Sequence, residues 1–284
     1  MTSGISSSVQ ADAAAISTQR VAARGRIEID HRAGRSRLAR LYQDGAAKIR
    51  LPETGADPLE AVLINMAGGL TGGDRLGWEV SVGASARAVI TTQACEKVYR
   101  ALTDRAEVEV RLSVGAGGYL GWLPQETITY DRSAFSRRLD ADLAVGAEAL
   151  IVEATVFGRS AMGERVESGT FRDRWRVRSA GRLIHAEDFS VGPEIEATLG
   201  RKASSGGRIA MATLLLVSER SEHLLEPARQ IVGDDGGASF WSVGPTGKLL
   251  ARLYAGDGYT LRKRLMPLVA LLNGQAGLPR LWSL

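Results

Sequence analysis

Apolar and polar residues alternate along most of the chain, and this pattern predicts a mainly β protein. In the first such stretch, Ile27 and Ile29 are separated by Glu28 and Asp30. Successive side chains of a strand point to opposite faces, so a period of two places the apolar residues on one face. Further strand-like runs occur at residues 150–157, 171–177, 183–189 and 211–217.

Two segments have the apolar spacing of amphipathic helices. The first follows Ser221, a candidate N-cap, and ends at Gly233. The second begins near Thr260 and ends at Asn273, with apolar residues on one side and basic residues on the other. Pro267 lies inside the second segment and predicts a kink or a late start, because proline cannot donate a backbone hydrogen bond. We therefore expect about two α-helices.

A sequence repeat occurs three times, with a spacing of roughly thirty residues. Each copy consists of an alternating strand, a glycine-alanine turn and a second apolar strand, and the copies cover residues 80–86, 112–118 and 143–149. Their alignment places Gly83, Gly115 and Gly146 at equivalent positions. Two architectures fit this repeat: a β-solenoid, or helical stack of strands, and a β-meander with recurrent hairpin turns.

The N-terminal segment, residues 1–18, is rich in serine and alanine and lacks an apolar period, so we expect a disordered tail. Residues 19–284 are expected to form a single β domain, because all-β folds of this length are often one unit. The content of 44% hydrophobic and 24% charged residues is typical of a globular protein. Without a long apolar segment or a signal-peptide pattern, we expect a soluble cytoplasmic protein with no membrane association.

The chain carries a net charge of +4, and its pI is about 9.4. Its arginines are interleaved with aspartates and glutamates along the strand-like segments. This arrangement favours an acidic protein partner over nucleic acid, because complementary charge accelerates encounter between proteins. A nucleic-acid-binding protein would show steeply salt-dependent binding, and the placement of the aromatic residues gives that alternative little support.

The loop at residues 65–74 is the densest candidate site, and its glycines permit backbone conformations that other residues avoid. These glycines are Gly68, Gly69, Gly72 and Gly73. Neither the lysine and hydroxyl residue of a P-loop nor the dinucleotide-binding spacing is present, so the loop does not predict a nucleotide site. Asp74 ends the loop and has two interpretations. It caps the turn through backbone N–H groups, or it offers a carboxylate to a metal cation.

Other catalytic or metal-binding patterns are absent from the sequence. His31, His185 and His223 are far apart, and Cys95 is a single soft ligand, so no closed metal centre is predicted. There is no Gly-x-Ser-x-Gly motif for a nucleophilic serine. We therefore expect no catalytic residues and no tightly bound cofactor.

Five segments together resemble the UreD family of urease accessory proteins, called UreH in some organisms. They occur in the family's order along nearly the whole chain. The segments are residues 65–74, 91–100, 122–126, 158–164 and 278–282.

This resemblance implies a mostly β, solenoid-like stack of strands with two helices and no enzymatic activity. It also implies direct binding to UreF, binding to the GTPase UreG through UreF, and docking of this assembly on apo-urease, UreABC. The chain is then a chaperone and scaffold for nickel insertion, with Ni²⁺ passing through it in transit.

The resemblance further implies a transient nickel route past Asp74, Glu153 and Glu187. Glu96 stands at a position where the family usually has a small hydroxyl residue, so its role is open, as is that of Cys95. Isolated carboxylates bind a cation weakly enough to release it, which suits transit. The alternative is that these acids form ordinary salt bridges with the many arginines.

A β-solenoid enzyme that acts on carbohydrate is the alternative from another functional class. Asp140 and Asp142 are two residues apart, which places both on one face of a strand, as paired catalytic acids require. The missing secretion signal argues against this alternative.

Overall fold

The computed structural model describes residues 20–52, 57–159 and 162–283, so the expected disordered tail lies outside the described residues. The strands are β1 Ala22–Arg32, β2 Arg35–Asp44, β3 Ala47–Arg50, β4 Leu59–Asn65, β5 Arg75–Val82, β6 Arg87–Thr92, β7 Glu96–Val98, β8 Ala106–Val114, β9 Tyr119–Leu123, β10 Thr127–Thr129, β11 Ser133–Leu143, β12 Glu148–Phe157, β13 Gly169–Ser179, β14 Arg182–Val191, β15 Ala210–Val217, β16 Gly236–Val243 and β17 Thr246–Ala255. The α-helices are α1 Ile195–Gly200, α2 Leu225–Val232 and α3 Gly258–Asn273. Short 3-10 helices occur at Gly233–Asp235, Gly274–Ala276 and Arg280–Ser283.

The strands form two sheets, and the chain passes repeatedly from one sheet to the other. Sheet A has the order β14-β13-β11-β8-β5-β1-β2, and sheet B has the order β16-β17-β15-β12-β9-β6-β4-β3, with β7 and β10 beside it. Strands from successive turns pair in parallel, as β5, β8, β11 and β13 do in sheet A. The fold is therefore a β-solenoid of about four turns, as predicted, and not a β-meander.

The repeat turns stack at one corner of the solenoid, but the third copy is shifted relative to the predicted alignment. Val114 pairs with Leu143 in the ladder between β8 and β11. The amide of Ala144, the next residue, donates to the carbonyl oxygen of Val114. Gly115 is therefore equivalent to Ala144 and not to Gly146, and the predicted equivalence of Gly146 was wrong.

Gly146 occupies a different position of the turn, the one with left-handed backbone. Its φ is 70°, and the equivalent residues of the two earlier turns, Gly117 and Ser85, have φ of 66° and 58°. A left-handed backbone is costly for residues with a Cβ atom, and glycine adopts it without that cost. Two of the three turns therefore have glycine at this left-handed position. Gly146 is one of these glycines, and the sequence alignment wrongly matched it with the glycine that starts the earlier turns.

The two sheets bury different numbers of faces, and this explains their different sequence patterns. One core lies between the sheets, and a second lies between the outer face of sheet B and helices α2 and α3. In sheet B, β12 is buried at nearly every position, because both of its faces are covered. In sheet A, β11 and β13 alternate, because their outer face meets solvent.

Both predicted helices are present, although the first begins later than expected. Helix α2 starts at Leu225, and the hydroxyl of Ser221 donates to the carbonyl of Leu216, so Ser221 is not its N-cap. Helix α3 is capped by Asp257 and continues through Pro267, so the late start predicted from proline did not occur. The short helix α1 was not predicted.

Within the described ranges, every helix is too short or too polar to span a lipid bilayer.

Candidate functional site

The glycine loop joins β4 to β5, and its backbone requires glycine at several positions. Gly68, Gly69 and Gly73 have φ of 75°, 150° and 88°. Gly72 lies against the neighbouring loop, where an added Cβ would be 2.1 Å from the carbonyl oxygen of Thr103. The loop is therefore closely packed, and its glycines serve both conformation and packing.

Asp74 is buried at the end of this loop and holds the loop to the start of β1. One carboxylate oxygen accepts a hydrogen bond from the Val21 amide at 2.8 Å, and the other accepts one from the Thr71 amide at 2.8 Å. Backbone amides are partners that cannot move away without rearranging the loop. This geometry matches the capping interpretation of Asp74.

Glu153 belongs to a buried polar cluster between the two sheets. The guanidinium of Arg137 forms ion pairs with Glu153 and with Asp173, and its Nε lies 3.0 Å from Asp173 Oδ1. The indole N–H of Trp122 donates to Glu153 at 2.9 Å, and that of Trp175 donates to Asp173 at 3.0 Å. Arg137 and Glu153 are each exposed by 5% or less, so the cluster is shielded from water.

The charges in this cluster do not cancel when both acids are ionised, because one arginine faces two carboxylates. Burial raises the pKa of Glu153 above that of an ordinary glutamate, and the neighbouring charge of Asp173 acts in the same direction. The charge of Arg137 opposes this shift. Glu153 therefore keeps a proton to higher pH than an exposed glutamate does.

A narrow cavity of about 10 Å³ places Glu153, Asp173 and Glu187 around one space. This volume accommodates about one water molecule. Glu187 enters from β14 and pairs with Arg252, whose Nη2 lies 2.6 Å from Glu187 Oε1. The structure thus brings together two of the three predicted route residues, and Asp74 does not line this cavity.

Asp173 and Arg137 were missed in the sequence, although the strand pattern contains a signal for both. Asp173 lies between Phe171 and Trp175 in the inward phase of β13, and all three are buried. Arg137 has the same inward phase in β11. Burying a charged residue on the apolar face of a strand is costly unless the charge is paired. A charged residue at such a position therefore predicts a buried ion pair.

His185 lies beside the cavity in its neutral form. Burial lowers its pKa to about 4, and the positive charges of Lys248, Arg252 and Arg176 act in the same direction. Its Nε2 lies 3.9 Å from Glu187 and has no hydrogen-bond partner among the described residues.

Glu96 and Cys95 lie next to each other and differ in chemistry. The amide of Asn65 donates to both carboxylate oxygens of Glu96, at 3.1 and 3.2 Å, and burial raises the pKa of Glu96 to about 7. The Cys95 thiol donates to Glu126 at 3.3 Å, and burial raises its pKa to about 11. Cys95 is therefore protonated at neutral pH, and a protonated thiol is a poor metal ligand.

In the part of the chain that the structure describes, no group of three or more His, Cys, Asp or Glu side chains is arranged to hold a metal ion. Asp140 and Asp142, the acids of the carbohydrate-enzyme alternative, lie on the outer face of β11, and Asp140 is 3.9 Å from Arg178.

Comparison with known proteins identifies relatives over almost the whole chain. The family model described as UreD urease accessory protein matches residues 21–283. "Urease accessory protein UreD" of Mesorhizobium japonicum is 71% identical over 251 residues, which is 88% of this chain and 90% of that protein. "Urease accessory protein UreD 1" of Brucella abortus biovar 1 is 56% identical over 95% of this chain and 96% of its own length. The protein of that name from Brucella anthropi is 57% identical over 95% of this chain and 97% of its own.

Proposed function

The chain belongs to the UreD family of urease accessory proteins, and from this premise we propose that it is a non-enzymatic scaffold and nickel conduit in urease maturation. It binds UreF directly and UreG through UreF, and this assembly docks on apo-urease, UreABC. Nickel is the cargo of this process and not a resident cofactor. The names of the relatives support the connection with urease, and the geometry of the inter-sheet cavity supports the conduit.

The observation that carries the conduit proposal is the set of three carboxylates around one narrow cavity inside the solenoid. Nickel accepts oxygen ligands, and a few carboxylates with water hold it less firmly than a closed set of cysteines and histidines. Ligands that hold an ion loosely also release it, as passage requires. Glu153, Asp173 and Glu187 therefore suit transfer better than storage.

The arginines that pair with these carboxylates can replace a bound cation at the carboxylate oxygens. A dication that approaches Glu153 displaces its proton, because metal ligands must be deprotonated. Arg137 and Arg252 compete with the cation for the same oxygens, so a bound ion is readily released. The cavity holds only about one water, so passage of an ion requires these arginine side chains to rotate. The Arg252 side chain is 37% exposed, which places the Glu187 end of the cavity nearer to solvent.

Asp74 remains in the proposed nickel route, but it contributes less to binding the ion than Glu153 and Glu187 do. Both of its oxygens already accept backbone hydrogen bonds, so contact with a cation would compete with the contacts that hold the loop. We propose Glu153 and Glu187 as the principal positions.

The conduit is tested by the double variant Glu153→Gln/Glu187→Gln, coexpressed with the cognate urease subunits, UreF and UreG. Glutamine keeps the size and the hydrogen-bonding oxygen but removes the charge, and the pair between Arg137 and Asp173 remains. We expect the complex with UreF to form normally, while the nickel content of purified urease falls by about fivefold or more, since the cavity loses ionisable oxygen ligands.

The matched control is Glu222→Gln/Glu226→Gln, which removes two exposed carboxylates around the start of helix α2, outside the cavity. Its urease should contain the normal amount of nickel. Normal nickel content with the cavity variant would exclude the conduit while leaving the scaffold in place. A folded wild-type chain that does not copurify with UreF would contradict the scaffold itself.

A further inference from the structure

Four arginines follow one another on the outer face of β13. Arg172, Arg174, Arg176 and Arg178 alternate with the buried residues of this strand. Alternate residues of a strand are about 6.6 Å apart, so the four guanidinium groups form a row along one surface of sheet A. Such a row concentrates positive charge on one part of a protein whose charges are otherwise interleaved.

A fifth arginine on the neighbouring strand stands directly beside this row. Arg138 of β11 and Arg174 of β13 are Cα partners in the parallel ladder. Neighbouring strands are about 4.8 Å apart, and like charges directly opposite one another destabilise a sheet. The ladders also place Glu109 beside Arg138 and Asp188 beside Arg174. Those two carboxylates form their ion pairs with Arg111 and Arg176 instead.

The arginines of this surface differ in whether they have acidic partners within the chain. Arg176 pairs with Asp188 at 2.5 Å, and Arg178 lies 3.9 Å from Asp140. Among the described residues, Arg138, Arg172 and Arg174 have no carboxylate within 4 Å. These three residues are named here the arginine patch.

The arginine patch continues into a groove at the edge of sheet A where its parallel strands begin. The groove has a volume of about 1020 Å³ and is lined by Arg172 together with Arg20, Arg75 and Arg105. Asp104 and Glu107 are the acids that line it, so its arginines are in excess. The flat patch and the concave groove together form a basic surface large enough for a segment of polypeptide.

The strands that carry the arginine patch are fixed from their inner side. Phe135 of β11 stacks on Phe171 of β13 with ring centroids 5.4 Å apart, and Arg137 bridges to Asp173 across the same two strands. A surface held by a packed core does not have to be ordered when a partner binds, which lowers the entropic cost of association.

We propose that the arginine patch and its groove bind an acidic segment of a protein partner. Arginine presents a planar fork that pairs with a carboxylate through two hydrogen bonds, and three arginines without internal partners offer three such forks. This proposal deepens the proposed function, since a scaffold acts through docking surfaces, and it rests on that function only for the choice of partners to test.

Two observations favour an acidic protein over a nucleic acid. Asp140, Asp188 and Glu107 surround the arginines and would repel a uniformly charged phosphate backbone, whereas a protein can match a mixed pattern. Proteins that bind single-stranded nucleic acid also use exposed aromatic side chains for stacking. None of the exposed large apolar side chains of the described chain lies on β8, β11 or β13.

The test is the charge-reversal variant Arg138→Glu/Arg172→Glu/Arg174→Glu of the full chain. Its binding to cognate UreF, to cognate apo-urease and to a fluorescent polyglutamate peptide is measured separately at low and high salt. We expect wild-type binding to at least one of the two proteins to weaken with salt. The variant should bind that protein about tenfold or more weakly at low salt and should show a smaller salt dependence.

A matched control distinguishes the patch from net charge. Arg201→Glu/Lys202→Glu/Arg208→Glu changes the charge equally in the exposed segment after α1 and should bind as wild type does. Reversing both charges replaces the Arg138–Arg174 repulsion by repulsion between two glutamates, so the melting temperature of the patch variant is measured to verify that it is folded. A second variant, Arg138→Gln/Arg172→Gln/Arg174→Gln, should show an intermediate loss of binding.

Each remaining outcome decides the proposal. Unchanged binding to both proteins, or an equal loss in the control, would overturn the proposal. If the wild-type chain binds neither protein, the proposed function fails. The patch is then supported only if wild type binds polyglutamate and the patch variant does not, and it is overturned if both bind alike.

Discussion

Asp74 in the glycine loop and Glu153 between the sheets are both buried carboxylates, but different kinds of group hold them. Asp74 accepts hydrogen bonds from the backbone amides of Val21 and Thr71. Glu153 is held by side chains, chiefly the guanidinium of Arg137. Backbone donors are fixed by the fold, whereas a side chain can rotate away. Burial alone therefore does not identify a carboxylate that could exchange its partner for an ion. Whether its hydrogen-bond partners are backbone amides or side chains is the better criterion.

The largest expected effect comes from removing the partner of Glu153. Arg137→Met leaves two buried carboxylates without a counter-charge, and we expect it to lower the free energy of unfolding by about 3–5 kcal/mol near neutral pH. Urea denaturation followed by circular dichroism measures this change. The loss should be smaller at acidic pH, because Glu153, whose pKa is raised by burial, is then neutral.

Arg138→Met is the control, since Arg138 is the next residue of the same strand and points to solvent. It should change the free energy of unfolding by less than about 0.5 kcal/mol. Equal losses in the two variants would show that the buried cluster does not stabilise the fold.

The next largest effect concerns Asp74 and its backbone partners. Asp74→Ala leaves the amides of Val21 and Thr71 without acceptors, which should lower the free energy of unfolding by about 2–3 kcal/mol. Asp74→Asn keeps one acceptor oxygen and should lose about half as much. Asp142→Ala on the exposed side of β11 is the control and should have little effect. If Asp74→Ala is as stable as wild type, the loop is held by other contacts.

The smallest effect is expected at Glu96, a partly buried carboxylate that accepts hydrogen bonds from the neutral amide of Asn65. Burial raises its pKa to about 7 from an ordinary value of 4.5, so its contribution to stability is present below pH 4.5 and is lost as pH rises through 7. Glu96→Gln should therefore be more stable than wild type by about 2 kcal/mol at pH 6 and nearly equal to it near pH 4.5. Melting temperatures across this range measure the difference, and a constant difference at all pH values would contradict the shift.

The candidate site was only partly predictable, for reasons that differ between residues. Glu153 and Glu187 were named from the family resemblance, and the structure places both at one cavity. Asp173 was overlooked, because its partner Arg137 is far away in sequence and only the stacking of β11 on β13 joins them. The arginine patch could not be predicted from the sequence either, because only the register between β11 and β13 makes Arg138 and Arg174 neighbours.

The sequence by itself determined a mainly β class of fold, whereas its repeat fitted both a solenoid and a meander, and the stacking of coils was implied by the family resemblance. Alternation such as that of Ile27 and Ile29 is local information, because a strand exposes alternate residues to opposite faces whatever it pairs with. The tertiary structure alone decided which acids share a cavity, which arginines lack partners and which turn residues are equivalent. Register sets the neighbours of every side chain, and the observed register differs by two residues from the sequence alignment, so Gly146 is equivalent to Gly117 and not to Gly115. The physical reason is that pairing between turns is a long-range choice, set by packing of the whole core and not by any one segment.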